Sequence, residues 1–257
     1  MRIDYVPLLE RQREVYRVPF GVARFREYLR SMLNETGDDV DSPPMVLMNP
    51  MAREHVPFML DQYIQLEADR IAAQAVEEAC AAIEHVDAAM KISLVVVDDL
   101  KGGWTNRYAC EYQIRRGGLD RSGERFLKRS AWHAAPIWTG EPVSIPAIER
   151  EAKTTVFRAA RRVIRGTART VHALLDQEGV CMFAAGYDKI MIDSDEIAYT
   201  RAVIDPYLEA DDMAIGVACL FGDGAARSLG FKPLGLSRNA GLELALHDSI
   251  AKGDRIG

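Results

Sequence analysis

The sequence predicts an α/β fold: a small parallel sheet of three to four strands, long crossover helices and a mainly helical C-terminal region. Three observations point there. Short apolar runs at residues 45–48, 92–97 and 132–138 are separated by stretches with helical period. Those stretches are far too long for hairpins, and a strand–helix–strand order brings right-handed crossovers with it. Finally, residues 92–97 are apolar or β-branched at nearly every position, as a strand covered on both faces must be.

Taken in order, residues 18–33 come first. Phe25, Tyr28, Leu29, Met32 and Leu33 recur at helical spacing, with Arg24, Arg26, Glu27 and Arg30 on the opposite, solvent-facing side. A polar, proline-closed loop from Gly37 to Pro44 follows. The run at 45–48 reads as the first strand and ends at Asn49-Pro50. Leu60, Ile64, Ala68, Ile71, Ala75, Ala79 and Ile83 then form one helical stripe. The second strand, 92–97, ends at Asp98-Asp99, and Gly102-Gly103 lead towards helical segments through Lys128. The third, 132–138, carries Pro136, which suits an edge position. A helix over 144–177 follows, with Gly179 placed to end it. Residues 180–185 fit a fourth strand or a buried helical turn equally well. Beyond them Asp193 with Glu196 forms a capping box, and Asp211 or Asp212, Asp223 and Ser237 mark further helix starts. No linker divides the chain. The expectation is one domain over 1–257, with an N-terminal helical extension (1–40) and a helical region at 187–257.

Composition narrows the function. The 257 residues are 48% apolar and 27% charged, which excludes disordered, collagen-like and coiled-coil chains. No apolar run approaches the ~20 residues of a membrane span, so no membrane partner is expected. A net charge of −6 argues against a dedicated nucleic-acid binder. The four cysteines lie far apart, with neither zinc-finger nor redox spacing, and fit buried, inert thiols in a reducing, cytoplasmic setting. Charge is distributed unevenly. Residues 146–169 hold seven basic side chains against two acids, and residues 186–223 hold nine acids against two bases. The basic helix could track an RNA backbone. It could equally be a face neutralised by the acidic C-terminal helices or by a second subunit.

In an open parallel sheet, ligands bind outside the carboxyl ends of the strands, where helix N-termini, free amides and strand-end side chains converge. The predicted strands deliver a chemically rich rim. Asn49, Arg53 and His55 follow the first, and Asp98, Asp99, Lys101, Trp104, Asn106 and Arg107 follow the second. Thr139 and Glu141 follow the third. Asp98 and Asp99 are candidates for a general base or for holding a divalent cation such as magnesium, and His55 for proton transfer. Arg53, Lys101, Asn106, Arg107 and Glu141 would bind a small anionic substrate, with Trp104 lining the pocket. No nucleophile elbow and no HExxH zinc motif occurs. Three functions follow: a small-molecule enzyme using this rim, a non-catalytic ligand-binding or homo-oligomeric scaffold, or an RNA-backbone binder using the basic helix. The sequence resolves neither the substrate nor the reaction.

Overall fold

The computed structural model describes residues 2–100, 104–117, 132–253 and 256. It contains a three-stranded parallel sheet in the order β1-β2-β3 and, among the described residues, eleven α-helices. The chain packs as two compact units, each described by itself. One comprises Met1–Thr105 with Ser122–Val156, and the other Asn106–Arg121 with Phe157–Gly257.

The first unit holds the sheet. β1 (Arg2–Tyr5) pairs with the start of β2 (Ala89–Val97), and β3 (Trp132–Trp138) pairs with its remainder, Lys91 against Trp132 through Val97 against Trp138. β2 is central, and its last six residues are all buried, which explains their unbroken apolar character. β3 is an edge strand, and Pro136 is tolerated there because one side of its backbone needs no ladder donor. Between β1 and β2 run α1 (Leu9–Arg17), α2 (Val22–Met32), a 3-10 turn (Pro43–Leu47), α3 (His55–Gln65) and α4 (Ala68–Ala81). Met45, Met48, Leu60, Tyr63, Ala72 and Ile83 form the core beside Ile92 and Leu94.

The edge strand β1 is short, so side chains complete the edge of β2 beyond it. Ser93 Oγ donates to Val6 O (2.7 Å). Gln12 of α1, fully buried, donates through Nε2 to Val96 O (3.1 Å) and accepts from Val96 N at Oε1 (2.9 Å). One amide thus takes both backbone groups of Val96, as a neighbouring strand would.

Several expectations are corrected here. The first strand is Arg2–Tyr5, not 45–48, so residues 1–40 are not purely helical. The run at 45–48 is apolar because the 3-10 turn packs against β2 and β3, and period alone does not separate such a turn from a strand. The stripe from Leu60 to Ile83 breaks at Glu67, whose φ of 57° is left-handed, into α3 and α4.

The second unit is helical. It holds α5 (Arg107–Arg116), the later part of α6 (Ile145–Arg165), α7 (Val171–Ala184), α8 (Ser194–Ile204), α9 (Met213–Phe221), α10 (Asp223–Ser228) and α11 (Ala240–Lys252). Its core gathers Tyr112, Leu174, Val217, Leu220, Phe221 and Leu246. Residues 144–177 are two helices, with Thr170 capping the second through Ala173 N (3.2 Å). Residues 180–185 are helical but for the terminal Ala185, not a strand. Gly179 lies inside α7. A Cβ there would stand 2.3 Å from Ala245 O, so this glycine serves the close crossing of α7 and α11 rather than a helix end. Asp193 and Asp212 cap α8 and α9 as expected. Asp223 instead accepts the amides of Leu234, Gly235 and Leu236.

Candidate functional site

The carboxyl ends of β2 and β3 face the same rim, and Asp98 is the first residue beyond β2. It is 2% exposed. Its Oδ1 accepts from His55 Nε2 (2.8 Å) and from Leu100 N (3.0 Å), and its Oδ2 accepts from Asn49 Nδ2 (2.8 Å). Thr139 Oγ1 lies 3.3 Å from Asp98 and 3.1 Å from Asp99, so its single proton serves one carboxylate at a time. A buried carboxylate needs hydrogen-bond donors, and each oxygen of Asp98 has at least one.

Asn49 is itself anchored. Its Oδ1 accepts from Met51 N (3.1 Å), and its carbonyl accepts from the Tyr16 hydroxyl (2.5 Å). His55 opens α3 with a ring mostly withdrawn from solvent. Because a carboxylate accepts at Nε2, that nitrogen carries a proton, and in the neutral ring Nδ1 presents a lone pair. Nδ1 is buried with no hydrogen-bond partner. The arrangement can therefore take a proton at Nδ1 and return it, while Asp98 holds the ring and balances the imidazolium.

The structure brings some of the predicted residues together and separates others. His55, Asp98 and Asp99 meet at this rim. Asp99 accepts from Gly140 N (2.6 Å) and so ties the ends of β2 and β3 to each other. Glu141 lies near enough to Tyr63 of α3 that its charge adds to burial, the larger cause, in pushing that phenol up to about 12. The Arg53 guanidinium stands 5.1 Å from the Phe20 ring centre. Trp104 packs against Phe25 of α2 at 6.3 Å between ring centres. Asn106 and Arg107 belong to the second unit. Asn106 caps α5 through Tyr108 N and Ala109 N, and Arg107 donates to Glu111 (2.7 Å). Lys101 lies outside the described residues.

Sequence reasoning assigned no role to Arg24, which it placed on a solvent-facing side. The structure buries it against Tyr16 and Phe20. The aromatic residue four positions ahead of it was the available signal, and the interruption at Gly21 hid it.

For a divalent cation, the donor set decides. Among the described residues no group of three or more His, Cys, Asp or Glu side chains is arranged to hold a metal, and Asp98 and Asp99 already accept hydrogen bonds. The four cysteines are unpaired. Burial pushes the Cys110 and Cys219 thiols up to about 12 and raises those of Cys80 and Cys181, so none is poised as a nucleophile.

Two arginines of the basic helix turn inward. Arg158 and Arg161 of α6 are buried. Arg158 and Arg115 both grip Glu178 (2.9 Å each), Arg115 also reaches Glu111 (2.7 Å), and Arg161 pairs with Asp176. Glu178 and Asp176 both belong to α7. Burial alone would raise the Glu178 and Glu111 carboxyls. The guanidiniums of Arg158 and Arg115 outweigh it for Glu178, those of Arg115 and Arg107 for Glu111, and both are held below the usual glutamate range.

Comparison with protein-family models, with curated proteins and with solved structures gives no significant match. No helix among the described residues is long and apolar enough to cross a membrane.

Proposed function

We propose that the first unit is a small-molecule catalyst in which His55 transfers a proton at Nδ1. Asp98 fixes the tautomer and stabilises the charge that forms. The observation that carries this reading is the 2.8 Å contact from His55 Nε2 to a buried carboxylate at the sheet's carboxyl rim, opposite a ring nitrogen with no partner. In a serine or cysteine triad that second nitrogen would hold a hydroxyl or thiol. Here it holds neither, and the proton passes to or from a substrate or water that enters against the buried Nδ1. The reaction class is general acid–base catalysis on a small polar molecule, a step that typically supplies ~10²–10⁴-fold in rate. Four unpaired thiols fit a reducing compartment for that chemistry.

Two measurements test it. Nitrogen-15 NMR of the imidazole should report the Nε2–H tautomer for neutral His55, and an Nδ1–H tautomer would overturn the reading. In a screen of small esters, lactones and phosphate monoesters, His55→Asn should lower any turnover by about 10²-fold or more. Turnover unchanged in that variant would refute the role of the ring.

A further inference from the structure

We infer that Arg24 and Arg53, set against Phe20, form a binding site for the carboxylate or phosphate group of a small ligand. Calling that ligand the substrate rests on the proton-transfer reading, but its binding does not.

Arg24 is only 9% exposed, and no carboxylate among the described residues pairs with it. Its guanidinium carbon lies 5.4 Å from the Tyr16 ring centre and 5.6 Å from that of Phe20. Its Nε donates to Val18 O (2.8 Å) and one terminal nitrogen to Ala52 O (3.4 Å). A guanidinium has five N–H donors, so three are left over. Carbonyls and ring faces orient a cation without neutralising it, and buried charges are normally paired because desolvation is costly. Arg24 is therefore a fixed, pre-oriented charge whose missing counterpart is an anion.

The surroundings reinforce this. Arg53 places a second guanidinium against the same Phe20 ring, and it too has no ion pair among the described residues. Arg24 lies in the first turn of α2, which contains no acidic residue, so the positive end of that helix adds to the same field. Planar guanidinium forks suit carboxylate and phosphate oxygens, and a half-exposed aromatic ring beside them suits an organic ligand better than a bare ion.

Loop geometry ties this site to the rim. Ala52 and Arg53 sit in the stretch 49–54. Its first residue, Asn49, and the residue that follows it, His55, both bind Asp98. One short loop thus carries an oxyanion anchor in its middle and, at its start and just past its end, the two residues that hold Asp98.

Titration calorimetry at low ionic strength tests the site, using the full chain with inorganic phosphate and, separately, acetate. Saturable binding of either anion is expected in the millimolar range, weakened about tenfold by Arg53→Gln, whose side chain is exposed and whose loss leaves the core intact. Binding of phosphate alone would mark the ligand as a phosphate ester, and binding of acetate alone would mark it as a carboxylic acid. Each result supports the site. Because Arg24→Gln risks the fold, Arg24→Lys is the second variant and should also weaken binding. His55→Asn should bind as the wild type does, which separates failure of this site from failure of the proton-transfer reading. No saturable binding of either anion, or Arg53→Gln binding as tightly as wild type, overturns the inference.

Discussion

Asp98 in the first unit and Glu178 in the second are both withdrawn from water, but they are surrounded by different kinds of donor. Glu178 meets two guanidiniums, from Arg115 and Arg158, and a Gln177 amide (3.0 Å). Asp98 meets an asparagine, a threonine, a backbone amide and a histidine. Arginine does not lose its proton at any relevant pH, so the cations around Glu178 are fixed and the cluster has one job, holding α5, α6 and α7 together. Histidine can carry one ring proton or two. The Asp98 cluster therefore has two states that differ by a single proton. A buried carboxylate indicates neither structure nor chemistry by itself; the titratability of its partners decides.

The sharpest way to break this contrast is to remove Glu178. Glu178→Ala removes the carboxylate shared by Arg158 and Arg115, leaving Arg115 with Glu111, and should cost about 3–5 kcal/mol in denaturant unfolding. The native cluster also predicts a pH signature. The folded carboxyl is held below the ordinary value of 4.5, so its contribution is complete above that pH and drains as pH falls through the lowered folded value. Glu178→Gln should flatten that part of the stability–pH curve, and an unchanged curve would remove the cluster from the explanation.

Asp98→Asn sits in the middle of the range. The sequence suggests that amides at 98 and 99 would remove activity with little change in melting temperature. For Asp98 the structure alters that expectation, because an amide cannot accept from donors on both of its termini. About 1–3 kcal/mol should be lost in urea unfolding, together with the Nε2–H tautomer of His55. If stability falls and the tautomer persists, Asp98 is structural like Glu178, and the contrast collapses.

The smallest effect is expected at an exposed pair. Arg201 binds Asp248 through two nitrogens, the longer contact being 2.8 Å, yet both side chains reach solvent. Arg201→Ala should shift unfolding by about 0–1 kcal/mol, less still in high salt. A loss rivalling that of Glu178→Ala would mean that burial is not what sets the scale.

Much of this was legible before any coordinates. The run at 92–97 declared a covered strand because only such a strand affords β-branched and apolar residues on both faces, and Pro136 declared an edge. β1 was hidden because Arg2 and Asp4 alternate with partly exposed residues in a strand of four, too short and too polar for periodicity to register. The apolar run at 45–48 then stood in for it. Asn49 and His55 still meet Asp98, because the chain that follows the 3-10 turn packed against β2 and β3 carries them there. Arg24 and Glu178 were not legible for a shared reason. A charged residue at helical spacing reads as solvent-facing, and only tertiary contact reveals the rings or guanidiniums that make its burial tolerable.

Gln12 has a consequence beyond closing the sheet. Where β1 ends, the rungs of β2 would otherwise offer a template to any extended polypeptide passing by, the usual route into ordered aggregates. With both groups of Val96 already occupied by an internal amide, an incoming chain finds no rung to pair with at that point, and this stretch of the edge is closed.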